Sequence, residues 1–80
     1  MKICMTQHAI ERVKERNIGV GRVRMALEKY HDTIKEHKGR ICVVVYNRVK
    51  VVCYYNNDNF RVITVAYKGT AMDRLEIERR

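Results

Sequence analysis

The chain has no proline, no tryptophan and no serine, a single phenylalanine, and only three cysteines among its 80 residues. Without serine, a serine nucleophile is excluded. Cys4, Cys42 and Cys53 are odd in number and include no C-x-x-C pair. That pattern fits neither a secreted disulfide framework nor a zinc-site spacing. No two of His8, His31 and His37 stand one helical turn apart, so neither a metal site nor a cofactor is expected. Gly19-Val20-Gly21 is too short for a dinucleotide or P-loop fingerprint.

Long apolar runs are missing as well. The longest, Ile41 to Tyr46, has six residues, far below the roughly 20 that span a bilayer. The opening MKICMTQHAI lacks the apolar stretch of a signal peptide. A cytoplasmic protein with no membrane partner is therefore expected.

Acidic residues are scarce: nine Asp and Glu face seventeen Lys and Arg, a formal charge of +8. In so short a chain this field favours polyanions, with RNA or DNA first and an acidic protein second. A hydrophobic content of 46% suits a globular fold, and the length suits one domain, residues 1–80, with one core. Any active site should be a shallow surface, since such a core encloses no large cavity.

Thr6 can cap a helix over Gln7–Arg16. A second helix, about Val20–Tyr30, places Val20, Val23, Ala26, Leu27 and Tyr30 on one arc. The pattern then changes. Thr33–His37 reads as a charged edge strand, Arg40–Tyr46 as a β-branched strand, and Asn47-Arg48 as a two-residue turn. VKVVCYY follows, then a turn at Asn56–Asn59 and a last strand, Phe60–Tyr67. Thr70 with Asp73 suggests a capped C-terminal helix. The expected architecture is α+β: two N-terminal helices on one face of a four-stranded antiparallel meander, with a short C-terminal helix.

The turns fix a register that pairs Cys42 with Cys53, Val44 with Val51, Tyr46 with Val49 and Tyr55 with Phe60. One face then carries Cys42, Val44, Tyr46, Val49, Val51, Cys53, Tyr55, Phe60, Val62, Thr64 and Ala66, and should meet the helices. The other carries Ile41, Val43, Val45, Val52, Ile63 and Val65, edged by Lys50, Tyr54, Arg61 and Tyr67. This second face is open to three readings: cover by the C-terminal tail, cover by a second copy in a homodimer, or an RNA surface. In the last, cations meet phosphates and bases stack on tyrosine. Cys42 and Cys53 are expected to be buried free thiols, because cytosolic thiols are normally kept reduced.

TQHAIERVKERNIG, from Thr6 to Gly19, sets His8, Arg12 and Arg16 four residues apart. On a helix they lie at about 0°, 40° and 80°, beside the arc of Ala9, Val13 and Ile10 at about 100° to 200°. Such a stripe is either a solvated face or a row of phosphate-holding groups. The second reading has a specific chemistry. Imidazole moves protons near neutral pH, and guanidinium grips phosphate oxygens in pairs. RNA cleavage by its own 2′-hydroxyl needs both, with no metal.

The helix H-A-I-E-R-V-K-E-R-N-I-G and the closing F-R-V-I-T-V-A-Y resemble a family of small microbial domains of unknown function, which share an H-x3-R-x3-R-x-I helix. That family looks related to the BrnT and RelE-type toxins, compact ribonucleases of toxin–antitoxin systems. The resemblance covers about residues 6 to 68. It implies His8, Arg12 and Arg16 as catalytic residues and places a basic residue, Lys68, before a threonine, Thr70. It also implies an RNA substrate and an acidic antitoxin partner. The nucleic-acid contacts expected are Lys50, Tyr54, Arg61, Tyr67 and Lys68. A non-catalytic nucleic-acid-binding or protein-interaction domain is the alternative.

Overall fold

The computed structural model describes residues 1–70 and 72–78. Strand β1 (Lys2–Met5) opens the fold. It is followed by helices α1 (Gln7–Glu15), α2 (Val20–Lys29) and α3 (His31–Glu36), then strands β2 (Cys42–Tyr46), β3 (Val49–Asn56), β4 (Asn59–Tyr67) and β5 (Arg74–Ile77). The strands form one sheet in the order β1-β4-β3-β2-β5, with β1 parallel to β4 and every other pair antiparallel.

Both first helices form as the sequence directs. The Thr6 hydroxyl accepts the Ala9 N–H at 3.1 Å and caps α1. In α2, Val23, Ala26 and Leu27 are buried. The third helix corrects the expected Thr33–His37 strand. Its charges imitate an edge strand, but Val23, Leu27, Tyr30 and Ile34 form a single three–four spaced stripe, and Ile34 is fully buried.

Two further elements differ from expectation. The N-terminal KICM is a parallel edge strand, with Ile3 opposite Phe60 and Met5 opposite Val62. The anticipated C-terminal helix is strand β5 over Arg74–Ile77, where Leu75 pairs with Val44 and Ile77 with Cys42. Leu75 and Ile77 alternate with charged residues, a period of two that suits a strand. Asp73 serves the β2–β3 turn instead of a helix cap: its Oδ1 accepts the Asn47 N–H at 2.9 Å. The sheet is thus five-stranded and mixed rather than a four-stranded meander.

Both hairpin turns place two residues at positive φ. Asn47 and Arg48 have φ of 49° and 67°, and Asn57 and Asp58 have 49° and 61°, the type I′ conformation that matches strand twist. The second turn is therefore two residues long, and Asn56 pairs with Asn59. The expected pairs Cys42–Cys53, Val44–Val51, Tyr46–Val49 and Tyr55–Phe60 all occur.

Beyond Cys53 the register slips. Cys53 faces Val62, but Val52 faces Thr64, so Ile63 is an extra residue on β4. This bulge reverses the faces of everything after it. Val65 and Tyr67 join the helix-covered side, opposite Val51 and Val49, while Thr64 and Ala66 move to the open side. These four residues stand on the faces opposite to those expected from the sequence. Val65 is accordingly 1% exposed and part of the core.

Thr6 braces the bulge. Its hydroxyl donates to the Ile63 carbonyl at 2.8 Å while capping α1, and its N–H donates to the Val62 carbonyl at 3.0 Å. Thr6→Val should therefore lower stability by about 1–2 kcal/mol, through loss of cap and carbonyl partner together. Thr6→Ser should retain most of it; chemical denaturation of the three proteins checks this.

The core joins Ala9, Ile18, Val23, Ala26, Leu27 and Ile34 of the helical half to Cys42, Val44, Val49, Val51, Cys53, Phe60, Val62 and Val65 of the sheet. All helices thus lie on one sheet face. The opposite face, with Val43, Val52, Tyr54, Arg61 and Ile63 half-buried, has no helix over it among the described residues.

Cys42 and Cys53 are buried free thiols, and Cys4 is exposed. Burial, with Cys42 alongside, pushes the Cys53 thiol from 9.0 up to about 12, and burial raises Cys42 too. A raised folded-state pKa means that stability is complete below pH 9 and falls as pH rises toward 12, because the unfolded chain releases protons first. The slope approaches about 1.4 kcal/mol per pH unit for Cys53, and Cys42 adds to it in the same direction. Urea midpoints should fall between about pH 8.5 and 11, less steeply in Cys53→Ala. Thiol reagents should modify Cys4 alone in native protein.

Candidate nucleic-acid interface

Helix α1 lies against β4, held at its start by Thr6 on Val62 and Ile63. At its end, the Asn17 carbonyl accepts the Tyr67 hydroxyl at 3.4 Å. Ala9 is its fully buried contact and Val13 is half-buried, so His8 and Arg12 stand at the helix edge. His8 is exposed and Arg12 half-exposed. Arg12 Nε donates to His8 Nε2 at 3.4 Å. The Nε2 lone pair that accepts this N–H is directed at Arg12. Arg12 also pairs with Glu15 at 3.1 Å. An exposed i,i+3 pair of this kind is worth about 0–1 kcal/mol, little enough for a phosphate to displace.

Arg16 is exposed at the C-cap of α1. Among the described residues no hydrogen bond or ion pair links its side chain, or that of Lys68, to His8 or Arg12. The structure therefore brings together two members of the expected set.

The expected sheet surface divides. Tyr54 and Arg61 are direct cross-strand partners, and Lys50 pairs with Val45 and Ala66 on the same open face. Tyr67 is not on that face. The bulge turns it toward the helices, where Arg22 Nη1 donates to its hydroxyl at 3.4 Å and the Arg22 guanidinium lies 5.5 Å from its ring centre. Lys68 follows β4 and ties its N–H to the Arg48 carbonyl at 3.0 Å.

Sequence reasoning missed a second basic place. Arg22 on α2, Arg48 in the β2–β3 turn, Tyr67, Gly69 and Thr70 line a cleft of about 450 Å³. In the sequence Arg22 lies off the apolar arc of α2, and Arg48 is one of two turn residues. Neither local pattern carries a signal that the two converge.

No group of three His, Cys, Asp or Glu among the described residues is placed to hold a metal ion. No described helix is long and apolar enough to cross a membrane.

These placements define a small basic α+β domain, with helices on one side of a mixed sheet and cationic groups at the edge of α1 and at the end of β4. The chain belongs to the family described as a domain of unknown function, DUF4258, whose model matches residues 5–67. The match runs from the end of β1 through β4 and leaves β5 outside. No curated protein and no solved structure matches the chain.

Proposed function

We propose that this is a toxin-type RNA-binding protein that cleaves RNA without a metal ion, using His8 to move protons and Arg12 and Arg16 to hold phosphate. The observation that carries the reading is the exposed His8–Arg12 contact, 3.4 Å long, in a chain of charge +8. Imidazole beside guanidinium is a fitting set for 2′-hydroxyl attack. The imidazole accepts or returns a proton, and the guanidinium stabilises charge growing on the phosphorus oxygens. To act as base, His8 Nε2 must exchange its Arg12 donor for the 2′-hydroxyl, as Arg12 turns to the phosphate. The resemblance of the His8-x3-Arg12-x3-Arg16 helix to that of a domain family that looks related to BrnT- and RelE-type toxins supports the same reading. It also supplies the expected partner, an acidic antitoxin, whose charge would complement the chain.

The test is cleavage of defined RNAs in EDTA by the purified protein and by His8→Ala. Cleavage by the first and not the second supports the proposal. Equal cleavage by both, or none by either, removes it.

A second reading, RNA binding without catalysis, is favoured by the Arg12–Glu15 pair and the occupied Nε2 of His8. It keeps the electrostatics and drops the chemistry. If four phosphates are neutralised, affinity for single-stranded RNA should fall about 50-fold between about 50 and about 200 mM salt. A flat salt profile in a filter-binding or anisotropy titration would remove both readings.

A further inference from the structure

We propose that the cleft between α2, the β2–β3 turn and the β4–β5 connection binds one nucleotide unit, its phosphate on Arg48 and Arg22 and its base against Tyr67. This rests on the RNA-binding reading for its biological ligand, but not on His8 or on cleavage.

The cleft holds about 450 Å³ and is lined by two arginines, a tyrosine, a glycine and a threonine, with no carboxylate among the described residues. That size and lining suit a small anionic ligand with one flat group. A second groove of about 560 Å³ adjoins it through Arg48 and Thr70. Among the described residues its one lining carboxylate, Asp73, is engaged by the Asn47 N–H at 2.9 Å.

Arg48 is the central group. It sits at φ 67° in the second position of a type I′ turn, where glycine is favoured and a side chain costs conformational energy. Asp58 holds the same position in the other hairpin, but its carboxylate accepts the Tyr55 hydroxyl at 3.1 Å. The Arg48 side chain has no such partner among the described residues. The turn beneath it is nevertheless held on three sides. Asn47 donates its N–H to Asp73, the Asn47 carbonyl accepts Arg22 Nη2 at 2.7 Å, and the Arg48 carbonyl accepts the Lys68 N–H at 3.0 Å. A cation presented from a braced turn loses little freedom on meeting a phosphate.

Tyr67 supplies the aromatic surface. It remains 43% exposed although Arg22 lies over its ring, so a base can stack on it. Its hydroxyl is held by the Asn17 carbonyl, which puts the cleft beside the C-terminal end of α1. An RNA strand leaving the His8 edge toward Arg16 would arrive there.

The experiment is an amide-shift titration of the full chain with adenosine 5′-monophosphate, inorganic phosphate and adenosine, each alone. The monophosphate should shift Arg48, Gly69 and Thr70 and bind more tightly than either part. Arg48→Gly should weaken it about tenfold, the loss of one charge-assisted phosphate contact, while leaving the thermal midpoint unchanged or raised, since glycine suits the turn. Retained affinity in Arg48→Gly, or shifts confined to α1, overturns the site. Equal binding of phosphate alone overturns the Tyr67 contact. No shift with any of the three at millimolar concentration also overturns the site, even if RNA is cleaved. Binding here by a protein that cleaves no RNA sinks only the ribonuclease reading.

Discussion

Truncating Phe60 to alanine is expected to lower unfolding free energy by about 3–5 kcal/mol. Phe60 is 2% exposed and stands opposite Tyr55 on β3 and Ile3 on β1. Its ring centre lies 4.9 Å from that of Tyr55 and 5.2 Å from that of His31. It therefore joins three strands and α3 at one point. An 80-residue domain carries about 4–12 kcal/mol in total, so this loss brings the fold near its midpoint in water. Helix α3 has six residues, too few to persist without the packing of Ile34 and His31. Its amides should lose hydrogen-exchange protection along with those of β1. Phe60→Leu, which keeps most of the volume, should cost about 1.5 kcal/mol or less. Urea unfolding of the three proteins decides it; a loss under about 1 kcal/mol in the alanine variant would mean that the sheet and α3 close without this ring.

The second large effect concerns catalysis and rests on the proposed function. Replacing His8 by alanine should reduce the RNA cleavage rate by about 10²- to 10⁴-fold, the usual contribution of a positioned proton-transfer group. RNA affinity should stay within about twofold, because the substitution leaves Arg12, Arg16 and the other cations that meet the phosphates in place. Arg12→Gln should act on both, removing one phosphate contact and the donor that orients His8. Added imidazole should restore part of the rate in His8→Ala but none in Arg12→Gln. A His8→Ala protein that cleaves at the parental rate would assign any nuclease activity elsewhere.

The legible part of the fold was what local pattern encodes. Thr6 announced the start of α1, the β-branched Cys42–Tyr46 run announced β2, and the two Asn-led turns announced the hairpins, hence the Cys42–Cys53 register. Thr33–His37 misled because one buried isoleucine among charges fits an edge strand as well as a short helix. Only the stripe continuing from Val23 through Leu27 and Tyr30 told them apart. KICM and RLEI were too short to declare themselves, and each became a strand by finding an edge to pair with. The bulge at Ile63 left no mark in a run of β-branched residues. Yet that one extra residue moved Tyr67 from the open face to Arg22.

For the candidate site, the His8–Arg12 contact follows from four-residue spacing on a helix and needs nothing beyond it. The convergence of Arg22, Arg48 and Tyr67 could not be foreseen, because they come from a helix, a turn and a strand end separated by up to 45 residues.

By itself, the sequence determined the net charge, the α1 stripe, the hairpin turns and the apolar residues that had to be buried. These depend on residue type and on neighbours within one or two helical turns. The tertiary structure alone decided the parallel docking of β1, the capture of β5 and the slip in β4, and with them which cations share a cleft. Each of those is settled by long-range backbone pairing, whose partners compete across the whole chain and leave no local periodicity to read.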